Sequence, residues 1–115
     1  LKELNLGDWE MKPMSSIPKK DIKDWQENIM TFKIPNGESN KDFLQRLDSF
    51  LKDILSFNQD VLIVAHAGSI NGMISILTGQ PFDKLVKNYW EKISHGSLTS
   101  IFVEDNNIKL NYIGK

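Results

Sequence analysis

Cysteine is absent from this 115-residue chain, so there is no disulfide framework, no thiolate nucleophile and no cysteine-based zinc site. Histidine is scarce: His66 and His95 are the only two, far apart in sequence, which argues against a histidine-based metal pair. Arginine is scarcer still. Of fourteen basic residues only Arg46 is an arginine, and guanidinium forks are what enzymes commonly use to grip phosphate oxygens two at a time. A chain that handles phosphate with a single arginine must take most of that clamp from elsewhere. Long apolar runs are also missing. None approaches the ~18–20 residues needed to cross a bilayer and no signal peptide opens the chain, so a cytoplasmic protein is the expectation. There is neither a Gly-x-Gly-x-x-Gly loop nor a Walker A lysine, and Gly68-Ser69-Ile70-Asn71-Gly72 is not a nucleophile elbow, because its serine directly follows the glycine. A net charge of −1 gives no electrostatic reason to expect nucleic acid or an acidic membrane as partner.

What is present is an ordinary globular composition, 40% hydrophobic and 25% charged, of a length that allows one domain at most. Its most informative stretch is Val61-Leu62-Ile63-Val64-Ala65-His66-Ala67-Gly68-Ser69. A short, uncharged, β-branched run after polar Asn58-Gln59-Asp60 reads as a strand buried on both faces, as in a parallel sheet. Ser69 to Thr78 then has helical spacing and stops at Gly79-Gln80-Pro81. His66 therefore stands where a buried strand hands over to a helix. Open α/β sheets place ligands there, and a helix N-terminus favours an anion. A lone histidine also fits a purely structural, hydrogen-bonded role, so the neighbouring residues have to decide.

Leu1 to Leu6 reads as the end of an extended segment closed by Gly7-Asp8. Helical spacing over Lys19–Met30 (Ile22, Trp25, Ile29) precedes a loop at Lys33-Ile34-Pro35-Asn36-Gly37. Ser39 begins the clearest helix, with Asp42 three residues on as a capping-box variant and a broad apolar stripe through Phe43, Leu47, Phe50, Leu51 and Ile54. Pro81 to Glu91 looks helical again. Leu98–Val103 and Ile108–Ile113, joined through Glu104-Asp105-Asn106-Asn107, predict a β-hairpin. Trp9, Trp25 and Trp90 read as packing anchors. The order predicts part of an α/β layer fold, and an incomplete one, since a lone central strand and a hairpin cannot cover two helical layers. Such a chain is expected to self-associate, exchange domains or retain a preceding piece.

Three segments together carry a family resemblance. Glu3 with Leu4-Asn5-Leu6-Gly7-Asp8-Trp9-Glu10 resembles the Glu-x-x-x-Gly-x-Trp-Glu-Gly segment of the histidine phosphatase (phosphoglycerate mutase-like) superfamily. Asn36-Gly37-Glu38-Ser39 with Arg46 resembles its Gly-Glu-Ser…Arg segment, and Val61–Ile70 its second-histidine segment. The resemblance implies a three-layer αβα fold with a mostly parallel central sheet and a terminal hairpin, of which residues 1–115 would be the C-terminal part, a single incomplete domain. It implies Glu3 as the general acid that protonates the leaving oxygen. It implies His66 as the histidine that contacts the transferred phosphoryl group, and the Ala67 backbone N–H as a further phosphate donor. Phosphoryl transfer needs donors on the equatorial oxygens and a proton for the leaving group, so those roles are chemically coherent.

The departures are as informative. The family's nucleophilic histidine lies in an Arg-His-Gly motif that this sequence does not contain, and a second phosphate-binding arginine is absent as well. Met11 stands where the family has a glycine, and Asn71 where an arginine is common. Glu38 and Arg46 read as structural, a helix N-terminal charge and an ion pair between elements; His95, in Ser94-His95-Gly96-Ser97, reads as a turn residue. Sixty-three positions separate Glu3 from His66, a compact spacing that resembles the small phosphatases, the alpha-ribazole phosphatase type among them, more than the phosphoglycerate mutases. The expectation is a phosphomonoesterase for a small phosphorylated metabolite, working through a phosphohistidine and without a cofactor, whose 115 residues alone are inactive. A non-catalytic phosphate-ester-binding or interaction module of the same fold, a phosphoglycerate mutase, and an unrelated nucleotide-binding α/β domain are the alternatives.

Overall fold

The longest helix owes its start to two side chains. Ser39 Oγ accepts the Asp42 N–H at 3.1 Å, and the Asp42 carboxylate accepts the Ser39 N–H at 3.5 Å, which completes the capping box predicted for this position. In the computed structural model, which describes residues 1–105 and 107–115, that helix is the second of four: α1 Lys19–Glu27, α2 Asn40–Leu55, α3 Ala67–Thr78 and α4 Phe82–Tyr89. Two strands follow, β1 Ser100–Glu104 and β2 Asn107–Tyr112, and short 3₁₀ turns at Gly7–Trp9 and Met14–Ser16 precede α1. The predicted turn between the strands includes Asn106, which lies outside the described residues. None of the described helices is long and apolar enough to cross a membrane.

Helix α3 is the hub. On one side Met73 meets the buried α2 stripe of Phe43, Leu47 and Leu51, with Leu4, Ile63 and Ala65 packed at the margin. On its other side Ile74 joins Leu85 of α4, Ile93, and Ile113 just beyond β2. Gly72 allows the close approach of α2 and α3, because a Cβ there would lie 2.4 Å from Leu47 Cδ1. The predicted hairpin is present and antiparallel, pairing Ile101 with Leu110 and Val103 with Ile108. A second pair of backbone bonds, Leu98 with Lys115 at 3.0 and 2.8 Å, extends it past an irregularity at Ser100.

The central strand predicted at Val61–Ala65 requires correction. The segment is extended but pairs with no other strand among the described residues, and the described sheet is the two-stranded antiparallel hairpin rather than a mostly parallel one. Burial alternates instead of covering both faces: Ile63 and Ala65 pack on the core while Leu62 is 84% and Val64 89% exposed. An apolar run takes up a ladder only where a neighbouring strand offers backbone partners, and among the described residues none lies beside this one. Smaller differences follow the same logic of local partners. Helix α1 stops at Glu27, short of Met30, and α3 starts at Ala67, two residues before Ser69. Trp9 does act as a packing anchor, stacked on Phe32 at 5.5 Å and edge-on to Trp25 at 6.4 Å. Trp90 does not: at the C-terminal end of α4 it is 52% exposed.

Candidate active site

Residues 1–6 form no helix or ladder, yet their backbone is held. Leu4 packs against the α2–α3 core. Glu38 accepts the Asn5 N–H at 2.9 Å, and its own N–H donates to the Asn5 carbonyl at 3.0 Å. Arg46, projecting from α2, donates to the Lys2 carbonyl at 2.9 Å and to the Glu3 carbonyl at 3.2 Å. The Glu3 side chain reaches the first turn of α3, where Oε2 accepts the Gly68 N–H at 2.8 Å and Oε1 accepts the Leu4 N–H at 3.2 Å. Position 68 has to be glycine for that contact, since a Cβ there would stand 2.5 Å from Glu3 Oε1.

His66 is the residue that caps this same helix end. Its backbone is extended (φ −112°, ψ 165°), its N–H donates to Ser69 Oγ at 2.9 Å, and the Ser69 hydroxyl donates back to the His66 carbonyl at 3.0 Å. Ser69 is fully buried, so the turn is fixed from below while the His66 side chain stands exposed. Ala67 is the first residue of α3, and its N–H belongs to the first turn, where donors have no partner within the helix and carry the positive end of the dipole. Glu3 therefore reaches the helix N-terminus that His66 and Ala67, more than sixty residues on in the sequence, begin.

Other candidates fall elsewhere. His95 occupies an exposed turn between α4 and β1, as predicted. Asn71 is fully buried, its Nδ2 donating to the Ala67 carbonyl at 3.1 Å, so it braces the turn from inside rather than standing in for an arginine at the surface. A surface depression is lined by Glu3 itself with Glu10 and Glu38 as well as Lys2 and Arg46, and His66 is not part of it. A carboxylate-rich border disfavours a phosphate ester, and the donor-rich end of α3 is the better anion site. Among the described residues no three histidine, aspartate or glutamate side chains gather as a metal site requires. The extent of the Arg46 network was not legible beforehand; the one signal was that a chain so poor in arginine places its only one a helical turn and a half inside α2.

A profile of the histidine phosphatase superfamily (branch 1) matches residues 1–114. The chain belongs to the histidine phosphatase superfamily. Among superfamily relatives, the protein named "Putative phosphoserine phosphatase 2" of Hydrogenobacter thermophilus is 32% identical over 120 aligned positions, covering all of this chain and 57% of its own length. The adenosylcobalamin/alpha-ribazole phosphatase of Escherichia coli is 32% identical over 94 positions, covering 74% of this chain and 44% of that protein. The chain thus spans about half the length of these relatives. The crystal structure of the alpha-ribazole phosphatase from Shigella flexneri superposes with a TM-score of 0.78 at 26% identity, over 98% of this chain and 57% of that one. The family assignment and the likeness to phosphatases agree with the resemblance carried by the Glu3, Gly37-Glu38-Ser39 and His66 segments.

Proposed function

We propose that this chain carries the proton-donating and part of the phosphate-binding side of a phosphomonoesterase, and that the attacking histidine comes from residues outside it. The observation that carries the proposal is the meeting of Glu3 with the His66–Gly68 turn, through the 2.8 Å bond from Gly68 N–H to Glu3 Oε2. In this reading the transferred phosphoryl group sits at the start of α3. Its equatorial oxygens take the exposed His66 imidazole and the Ala67 N–H as donors, since negative charge accumulates there in phosphoryl transfer. Glu3 stands beside that group and gives its proton to the departing alkoxide, the general-acid step. A histidine on a strand laid along the uncovered edge of Val61–Ala65 attacks phosphorus and is phosphorylated, and water then releases phosphate. That added strand would make the sheet mostly parallel and its helices two layers of a three-layer fold.

The relatives support the substrate class rather than one compound, because one is named a phosphoserine phosphatase and the other an adenosylcobalamin/alpha-ribazole phosphatase. Alpha-ribazole phosphate is one substrate consistent with the compact spacing between Glu3 and His66. We place the activity in the cytoplasm.

The test uses the 115 residues and a longer form in which an Arg-His-Gly segment precedes Leu1. The longer form is expected to hydrolyse p-nitrophenyl phosphate through an acid-labile phosphohistidine, with Glu3→Gln lowering turnover by roughly 10²–10⁴-fold on esters with poor leaving groups. The 115 residues alone are expected to show neither turnover nor phosphohistidine. Hydrolysis by that chain alone overturns the assignment of the nucleophile. Tight binding of phosphate esters without hydrolysis by the longer form turns the reading into that of a binding module.

A further inference from the structure

Every nitrogen of the only arginine in the chain is committed to protein acceptors. Arg46 Nε donates to Glu38 Oε2 at 3.3 Å and Nη2 to Glu38 Oε1 at 2.7 Å, a two-pronged pair. Nη1 and Nη2 also reach the carbonyls of Lys2 and Glu3. The guanidinium lies 5.1 Å from the ring centroid of Phe43, which is fully buried and so offers a fixed platform. Glu38 in turn grips Asn5 through both its carboxylate and its backbone. Glu3 is thereby bracketed, its own carbonyl held by Arg46, the carbonyl before it by the same fork, and the amide two residues after it by Glu38.

We propose that the Glu38–Arg46 pair is a positioning device for the Glu3 carboxyl, and that Arg46 takes no part in binding phosphate. The proposal rests on Glu3 being the proton donor. A general acid works only within hydrogen-bond reach of the leaving oxygen, about 2.6–3.2 Å. Among the described residues no strand pairs with the segment that carries Glu3, so within this chain sheet pairing does not set that distance. The fork does so instead. A lysine could not replace it, because one ammonium cannot span two carboxylate oxygens and two main-chain carbonyls at once. As an ion pair alone the contact would matter little, since the Arg46 side chain is 36% exposed. Its consequence is geometric: it decides where the carboxyl at α3 points.

The deciding experiment compares two phosphate esters in the longer, nucleophile-bearing form of the protein: p-nitrophenyl phosphate, whose leaving group needs little help, and a simple alkyl phosphate, whose leaving group needs the proton. Arg46→Met is expected to slow the alkyl ester at least tenfold more than the aryl ester, with KM for both within about threefold, since no phosphate contact is lost. Arg46→Lys, which keeps the charge and the stem, is expected to recover folding and the aryl rate but not the alkyl rate. In the Glu3→Gln background, Arg46→Lys is expected to cost the alkyl ester nothing further, because the two residues act as one unit. Equal losses on both esters, a KM effect alone, or additive losses in the double variant overturn the proposal. If Glu3→Gln itself shows no leaving-group dependence, the assignment of Glu3 as acid falls. The Gly68 amide proton then decides the positional half. Its chemical shift is expected to move in Glu3→Gln and to move in the same direction, by at least half as much, in Arg46→Lys. An unmoved shift in Arg46→Lys overturns it.

Discussion

Two segments that belong to no sheet among the described residues flank the start of α3: Leu1–Leu6 and Val61–Ala65. The first is tied. Its carbonyls at Lys2, Glu3 and Asn5 and its amide at Asn5 all have partners, supplied by the Arg46 guanidinium and by Glu38. The second is held, among the described residues, by what it buries, Ile63 and Ala65 on one face, while Leu62 and Val64 project from the other. A backbone polar group needs a partner or water, and an extended run has few ways to find one without a neighbouring strand. Side chains from a helix solve this for residues 2–5 and make that segment self-sufficient. Residues 61–65 have no such help and present an apolar edge of the kind that recruits another strand.

The sharpest way to break this comparison is to charge the bare segment. We expect the 115 residues alone to self-associate through it. Antiparallel pairing of two copies about Ile63 would set Leu62 beside Val64 of the other copy and Asp60 beside His66, joining apolar to apolar and acid to base. The double substitution Leu62→Lys, Val64→Lys places four lysines on that face of the pair and is expected to weaken association by about a hundredfold, ~2.7 kcal/mol. Sedimentation velocity over a concentration series reads it. A protein that is already monomeric at high concentration, with the lysine variant unchanged, would show that the edge is covered in some other way.

The tied segment is the next to loosen. Arg46→Ala removes one ion pair, two bonds to main-chain carbonyls and the stacking on Phe43. Discounted for the exposure of the pair, that is expected to cost about 1–2 kcal/mol. Lys52→Ala, which removes an i,i+4 pair with Asp48 on the exposed face of the same helix, is the control and is expected to cost no more than ~0.5 kcal/mol. Denaturant titration of both variants at one protein concentration gives the difference.

How far these features could be read in advance follows from what each depends on. The start of α2 was legible, because a capping box is a short-range pattern written in Ser39 and Asp42. The hairpin was legible for the same reason, its two strands lying adjacent in sequence. The turn from an extended segment into a helix at His66 was legible too, and with it the anion-favouring end of α3. The surroundings of Val61–Ala65 were not, because an apolar run reports what it requires and not whether this chain supplies it. The Glu38–Arg46 ion pair was legible, but the fork's grip on the main chain was hidden: its acceptors at Lys2 and Glu3 are carbonyls more than forty residues away, which no residue pattern marks. Glu3 could be brought to His66 only through the family resemblance, since nothing local links the two.

The smallest expected change in stability tests the point where the two segments converge. Gly68→Ala places a methyl group 2.5 Å from Glu3 Oε1, so the carboxyl must leave the α3 N-terminus. That forfeits a hydrogen bond from an amide to a charged group, ~1.5–3 kcal/mol if it were buried and less at this half-buried glutamate. Against it stands the gain of alanine over glycine in a helix, roughly 0.5–1 kcal/mol. The two nearly cancel, and the melting temperature is expected to move by only a few degrees. Yet the amide of residue 68 loses its partner, so its hydrogen exchange is expected to quicken several-fold while amides in the middle of α3 keep their protection. Near-constant stability with a locally freed amide would show that the tie at residues 2–5 serves to aim Glu3 more than to hold the fold together. A large loss of stability would mean instead that the Glu3–Gly68 bond is a principal brace between the N-terminal segment and α3.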